Sequence, residues 1–138
     1  MSGGLVTFAL GAREYATPLS SIREVVRLEG LADLPGMTPP LAGVLDLRGA
    51  ALPVLDLRRG DPADRGDVLV MESSPDNLIG VAVDRVRAVV DEGELSPAGG
   101  AAEELPAYVL EVLRGAAGTV FLVDLPAMVE SARKAAVL

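Results

Sequence analysis

The chain has 138 residues, half of them hydrophobic, and a formal net charge of −8, which is enough apolar material for a folded domain with its own core. The negative charge argues against nucleic acid or an anionic membrane as the main partner, because both attract basic surfaces. Cysteine and histidine are absent, which excludes disulfides, thiol chemistry, histidine metal sites and histidine-based catalysis. Carboxylates, arginines and hydroxyls remain as candidate catalytic groups, and we expect no cofactor or metal.

Short apolar segments separated by turn residues run along most of the chain. The strands are predicted at 5–10, 13–17, 22–26, 44–47 and 52–55, and again at 68–71 and 78–83. Segments of four to seven residues, each followed by a turn signal, are typical of an all-β barrel or sandwich. The C-terminus differs, because Pro126 suits the start of a helix and apolar residues then recur at helical spacing. We expect a helix over 126–137 that seals an open barrel end.

The second half of the chain repeats the pattern of the first. LSSIREVV (19–26) aligns with VDRVRAVV (83–90), and LRGAA occurs at 47–51 and again at 113–117. This order of matched features predicts two copies of one unit, residues 5–57 and 69–125, and hence two small barrels. The alternative is that aliphatic strands simply look alike. Gly49 and Gly115 are expected to turn the same sharp corner, because glycine has no Cβ to clash there.

Three aspartates, Asp56, Asp84 and Asp124, follow predicted strands. A catalytic carboxylate pair is conceivable, but side chains that accept hydrogen bonds from backbone amides at strand ends are the favoured interpretation. The acidic stretch from Asp91 to Glu94 is expected to be a solvated turn.

The run from Leu34 to Arg58, LPG-x4-L-x-GV-x-x-LRG-x-x-LPV-x-DLR, resembles the core of the CheW family of bacterial chemosensory adaptors. Supporting stretches are F-x-LG-x-x-x-Y (8–15), I-x-EV-x-R (22–27), IGVAVDRV (79–86) and V-x-LVDL (120–125). The resemblance covers about residues 5–130. It implies one CheW-like domain over 1–138 with a mainly β fold: two pseudo-symmetric, interlocked five-stranded β-barrels with a short C-terminal helix.

The resemblance also implies a function. Such a protein is a non-catalytic adaptor that binds the regulatory domain of a CheA-type histidine kinase and the cytoplasmic tip of methyl-accepting chemoreceptors. It is expected to be a cytoplasmic monomer when free, recruited to receptor clusters at the inner membrane without inserting into it. The alternative within the family is a variant scaffold of a non-flagellar cluster that keeps only the kinase or only the receptor interface. A barrel enzyme using Asp46, Asp56 and Arg48, or a barrel that encloses a small molecule, is disfavoured by composition.

Five residues match functional positions of the family. Ile22 and Glu24 match the kinase-facing edge, Arg48 matches the arginine of receptor and kinase coupling, and Val86 and Val89 match apolar positions of the groove for a receptor helix. From the residues alone, Arg48 could equally be a surface arginine paired with Asp46 or Asp56.

Strand alternation places Ile22 and Glu24 on one face, and the charge of Glu24 predicts that this face is partly exposed and available for docking. Two departures from the family pattern bear on partner choice: Asp46 replaces the usual asparagine, and the connection from Leu57 to Val68 is short.

Overall fold

The computed structural model describes residues 3–58, 65–99 and 104–137, which form eleven β-strands and one α-helix. The strands are β1 (Gly4–Leu10), β2 (Arg13–Pro18), β3 (Glu24–Arg27), β4 (Leu41–Leu47), β5 (Ala50–Asp56), β6 (Asp67–Ser74), β7 (Asn77–Val83), β8 (Arg85–Asp91), β9 (Ser96–Pro97), β10 (Val109–Gly115) and β11 (Gly118–Val123), and the helix is α1 (Leu125–Val137). Single 3-10 turns at Leu19–Ser21 and Glu92–Glu94 follow β2 and β8.

The strands form two sheets that exchange strands between the halves of the chain. The first sheet has the order β8-β1-β2-β11-β10-β9, and the second has the order β3-β6-β7-β5-β4. Each combines an N-terminal hairpin of one half with strands of the other half, joined by a parallel pair, β2 with β11 and β7 with β5. The predicted mainly β fold of two interlocked barrels with a C-terminal helix is confirmed. The first sheet also carries the two-residue strand β9.

Both faces of the central strands are buried, because alternate side chains of one strand enter different clusters. In β6, Leu69 and Met71 enter the cluster between the sheets, whereas Val68 and Val70 enter the interior of the second sheet. We call the cluster between the sheets the central core; it contains Val6, Phe8, Leu55, Leu69, Met71, Ile79, Val81, Val83, Val123, Leu125, Met128 and Val129. Its residues come from both sheets and from α1, so it holds the interlocked units together.

The C-terminal helix packs on the central core. Leu125, Met128 and Val129 belong to that cluster, and the expectation that the helix seals a barrel end stays a prediction. The helix begins at Leu125, one residue before the predicted start, because Asp124 caps it: its Oδ1 accepts a hydrogen bond from the Ala127 N–H at 3.1 Å.

The repeated LRGAA segment adopts two different conformations. In the first copy, Arg48 and Gly49 form a two-residue turn between paired Leu47 and Ala50, with φ of 50° and 88°. In the second copy, Gly115 is the last residue of β10 and pairs with Gly118, so the turn falls on Ala116 and Ala117. The expected corner at Gly115 is wrong.

A packing constraint accounts for the glycine of the second copy. A Cβ at Gly115 would lie 3.0 Å from Leu95 Cδ2, so a side chain at this position would require Leu95 to shift.

The end of β5 is fixed by a buried ion pair. Arg58 donates to both carboxylate oxygens of Asp56, each at 2.9 Å, and its side chain is only 4% exposed. Arg58 also donates to the backbone carbonyl of Arg65, so it joins the two ends of the connection at 59–64, which lies outside the described residues. The Asp56 Oδ1 accepts the Arg58 backbone N–H at 2.8 Å, in agreement with the local role expected for this aspartate.

Replacing Arg58 with alanine should lower the free energy of unfolding by about 3 kcal/mol, because the change leaves the Asp56 carboxylate largely buried without its partner. Urea denaturation followed by circular dichroism measures the difference. Arg133→Ala, at an exposed arginine of α1, is the matched control and should change stability by less than about 0.5 kcal/mol. Equal effects of the two substitutions would contradict the structural role of Arg58.

Candidate functional site

Glu24 and Arg48 form a bidentate ion pair at the edge of the second sheet. Arg48 Nη1 donates to Glu24 Oε1 at 2.9 Å, and Arg48 Nη2 donates to Glu24 Oε2 at 2.6 Å. Parallel hydrogen bonds of this kind fix the orientation of the guanidinium as well as its position. The Arg48 side chain nevertheless remains 69% exposed, against 32% for Glu24. One side of the guanidinium is therefore held by Glu24 while the rest stays open to solvent.

The pair also links the two outer strands of this sheet. Within the described residues, β3 pairs only with β6, and β4 pairs within the sheet only with β5. Glu24 lies at the start of β3 and Arg48 in the β4–β5 turn, so the ion pair bridges the free edges. A second link lies nearby, where the backbones of Ala32 and Val44 exchange hydrogen bonds of 3.0 and 2.8 Å.

The partner of Arg48 differs from both carboxylates that the sequence suggested. Asp46 Oδ1 accepts the Gly49 N–H at 2.8 Å and so stabilises the turn, and Asp56 is paired with Arg58. The pairing of Arg48 with Asp46 or Asp56 is therefore wrong. An aspartate at 46 fulfils the same acceptor role that an asparagine would, so this departure from the family pattern leaves the turn intact.

The ion pair perturbs both titrations. Hydrogen bonding to Arg48 is the main cause that holds the pKa of the Glu24 carboxyl below its ordinary value, and the same contact raises the pKa of the Arg48 guanidinium. Both groups are therefore charged at neutral pH. In a partly exposed site, such a pair contributes more to geometry than to stability.

Side chains of β3 alternate between the interior and solvent. Ile22, just before the strand, packs partly buried against the central core, and Val26 packs against the interior of the second sheet. Glu24 lies between them and is also half-buried. The exposed aliphatic residue of this strand is Val25, at 42%. By strand alternation Val25 lies on the face opposite to Ile22 and Glu24, and it is not among the five residues matched to functional positions of the family.

A β-bulge places Val86 and Val89 on the same face of β8. Residues three apart in a regular strand point to opposite faces. Here Val86 lies opposite Phe8 and Val89 lies opposite Val6, with a register shift between them. Because Phe8 and Val6 both face the central core, the two valines share that side. Val86 is half-buried against the core, whereas Val89 is 63% exposed.

Leu19 extends this apolar surface. It lies in the 3-10 turn after β2 and is 42% exposed. A Cβ at Gly4 would lie 3.2 Å from Leu19 Cδ2 and 3.7 Å from Val89 Cγ1, so the two exposed side chains flank Gly4. We call Gly4, Leu19, Val86 and Val89 the β8 patch. Nothing in the sequence marked Leu19 or Gly4, because their proximity to Val89 arises from strand pairing.

The ends of β8 carry opposite charges. Arg85 and Arg87 lie at its start, and Asp91, Glu92 and Glu94 lie at its end and in the following 3-10 turn. Arg87 Nε donates to Glu14 Oε1 at 2.6 Å. The patch is thus an apolar strip with charged ends, which is the arrangement that an amphipathic helix complements.

Two further properties concern the described part of the chain. It contains no group of three acidic residues placed to hold a metal ion. Its helix is also too short to cross a bilayer.

The interlocked sheets and the C-terminal helix define a protein of the doubled β-barrel class. The sequence model of the CheW-like domain matches residues 4–133, and the chain belongs to the CheW-like family. It is 31% identical over 55 residues to the chemotaxis protein CheW of Bacillus subtilis, covering 40% of this chain and 35% of that protein. It is 28% identical over 92 residues to the probable chemotaxis protein CheW of Rhizobium etli, covering 62% and 59%. The matches thus span less than two thirds of either relative.

A solved structure shares the fold. The crystal structure of the scaffolding protein TtCheW from Thermoanaerobacter tengcongensis aligns with a TM-score of 0.70 at 22% sequence identity. The alignment covers 91% of this chain and 86% of that one. The likeness extends over both sheets and therefore concerns the whole architecture described above.

Replacing Arg48 with alanine should raise the pKa of the Glu24 carboxyl, because the guanidinium contact is the main cause of its lowering. An NMR titration of the glutamate side chains measures the shift. Arg114→Ala is the matched control, since Arg114 occupies the same position in the second LRGAA segment and forms no ion pair with the described residues.

The same pair makes stability depend on pH. Because the pKa of Glu24 is lowered in the folded state, the stabilisation is present above the pKa of an unfolded-chain glutamate, about 4.3, and is lost as pH falls through the folded value. The difference in free energy of unfolding between the wild type and Arg48→Ala should therefore shrink as the pH is lowered from neutral. A difference in free energy of unfolding that stayed constant with pH would show that the Glu24–Arg48 ion pair is not its source.

Proposed function

We propose that this protein is a non-catalytic adaptor that couples chemoreceptors to a CheA-type histidine kinase. Membership of the CheW-like family supports this role, as do the relatives named chemotaxis protein CheW and the structural relative described as a scaffolding protein. The observation that carries the proposal is the Glu24–Arg48 pair, whose guanidinium is fixed on one side and 69% exposed. An arginine oriented in this way is suited to a charged partner, and Arg is enriched among residues that dominate binding.

The exposed side of β3 is the proposed contact with the regulatory domain of the kinase. Glu24 and the exposed Val25 would supply side-chain contacts there. Ile22 is half-buried against the central core, so it would act by supporting the edge rather than by broad contact of its own.

The β8 patch is the proposed contact with the receptor tip. The bulge aligns Val86 and Val89, and Leu19 widens the apolar surface beside them. The cytoplasmic tip of a chemoreceptor is helical in the family, and helices dock by placing an apolar stripe on such a surface. Arg48 would couple the two contacts, because it is held by Glu24 on the kinase edge while keeping an open side.

The same proposal sets the cellular context. The protein would act in the cytoplasm, as a monomer when free, and would reach receptor clusters at the inner membrane by binding their cytoplasmic tips. The division of the chain into repeats at 5–57 and 69–125 stays a prediction.

The two proposed contacts can be separated by charge substitutions at exposed valines. Val89→Glu should weaken binding to a receptor cytoplasmic fragment by about 30-fold or more, corresponding to about 2 kcal/mol, and leave binding to the kinase regulatory domain unchanged. Val25→Glu should weaken binding to the kinase regulatory domain by a similar factor and leave binding to the receptor fragment unchanged. Leu110→Glu, at a residue of β10 that is 55% exposed, is the matched control and should affect neither. Isothermal titration calorimetry with each purified fragment measures the affinities.

Loss of only one of the two interactions in the wild-type protein would favour the variant scaffold with a single interface. If Val89→Glu and Val25→Glu bind both fragments as the control does, the assigned surfaces are wrong.

Arg48→Glu should reduce receptor-dependent control of kinase activity in a reconstituted assay, while the thermal midpoint changes little, because the pair is largely exposed. The double variant Glu24→Arg with Arg48→Glu restores the ion pair in reverse. It should recover the orientation but not the charge offered to the partner, so coupling should stay low. Full recovery in the double variant would mean that Arg48 acts only within the protein.

A further inference from the structure

A cleft between α1 and the first sheet gathers most of the aromatic side chains. The chain contains two phenylalanines and two tyrosines and no tryptophan. Three of these four residues, Tyr15, Tyr108 and Phe121, line one cleft of about 660 Å³. The fourth, Phe8, is buried and stacks on Tyr15, with ring centroids 5.6 Å apart. We call this the aromatic cleft. In a protein whose core is otherwise aliphatic, this concentration calls for an explanation.

The walls of the cleft are held in place by hydrogen bonds. The β1–β2 turn forms one wall, and its Gly11 N–H donates to Asp84 Oδ2 at 2.6 Å. The segment with Tyr108 forms another, and its carbonyl accepts the Asp124 N–H at 2.9 Å. Tyr15 is fixed between Phe8 and Phe121, whose centroid lies 5.8 Å from its own. The cleft is therefore preformed, which reduces the entropic cost of binding a ligand.

Small side chains of α1 leave the cleft open. Ala132, Ala135 and Ser131 face it, whereas Met128 of the same helix closes its floor together with Leu57. Its volume lies within the range of about 300–1,000 Å³ found for small-molecule sites. Half-buried aromatic rings and an apolar floor favour an apolar ligand body.

Arg13 provides a charge at the mouth of the cleft. It is the one charged residue among the described residues that line the cleft. Arg13 is exposed and forms no ion pair with any described residue, whereas Arg23, Arg48, Arg58 and Arg87 all do. A guanidinium beside an apolar cavity matches a ligand that ends in a carboxylate, which it can bind with two parallel hydrogen bonds.

We propose that the aromatic cleft binds a small organic acid with an apolar, ring-containing body, its carboxylate on Arg13 and its body between the aromatic rings and α1. None of the residues of the Glu24–Arg48 pair or of the β8 patch lines the cleft. The site is thus separate from the surfaces assigned to the kinase and receptor, and it does not depend on that assignment.

Tyrosine fluorescence tests this proposal directly, because both tyrosines line the cleft and the chain has no tryptophan. Phenylbutyrate is the probe, and its neutral amide, phenylbutyramide, is the matched control ligand. Titrating the acid into the full-length protein up to millimolar concentration should give a saturable change in fluorescence and raise the thermal midpoint. The amide should bind about tenfold more weakly, since it lacks the charge-assisted hydrogen bonds.

Substitutions locate the site. Arg13→Gln should lower the affinity for the acid about tenfold, with little effect on the amide. Arg133→Gln, on the exposed side of α1, should change the affinity for neither the acid nor the amide. Ala132→Leu should weaken both ligands by filling the cleft. Arg13 also borders a neighbouring depression lined by Ala117, so Ala117→Leu is the control for that depression and should leave binding unchanged.

Each alternative result decides against the proposal. The absence of a saturable response, equal affinity for acid and amide in the wild type, or loss of binding in Ala117→Leu but not in Ala132→Leu would overturn it. If Ala132→Leu fails to give a cooperative thermal transition, Ser131→Leu is measured in its place, because Ser131 is an exposed residue of the same wall.

Discussion

The structure depends on the burial of both faces of its central strands. In β6 and β7, alternate side chains enter either the central core or the interior of the second sheet, and β1 divides its side chains in the same way between the central core and the first sheet. Each buried aliphatic side chain contributes about 1.5–3 kcal/mol. Because the central core draws on both sheets and α1, separating the sheets would expose all of it at once.

This constraint determines which strands are left at the edges. The doubly buried strands lie inside the sheets, and β3, β4 and β8 lie at their margins. Both the Glu24–Arg48 pair and the β8 patch are built on these margins, where side chains can be exposed without opening a core. The central core still reaches them, since Ile22 and Val86 pack against it from beneath. The proposed contact surfaces are therefore exposed strips on a rigid base.

The aromatic cleft follows from the same arrangement, at the place where α1 packs beside the first sheet. Helix α1 covers the central core, and its small residues keep a gap between the helix and the first sheet. Tyr15 and Phe121 meet in this gap because β2 and β11 pair in parallel, with the two residues opposite one another. The three surfaces share one scaffold but no residues, so each can be altered alone.

The sequence by itself determined the family, the mainly β character and the C-terminal helix, because short apolar segments, turn residues and the LRG and DLR runs are local signals. Only the tertiary structure decided which residues meet. Arg48 pairs with Glu24 across two strand edges, and a bulge turns Val86 toward the side of Val89. The turn of the first LRGAA falls on Arg48 and Gly49, whereas that of the second falls on Ala116 and Ala117. These outcomes depend on pairing and packing between segments far apart in the chain, which no local pattern specifies.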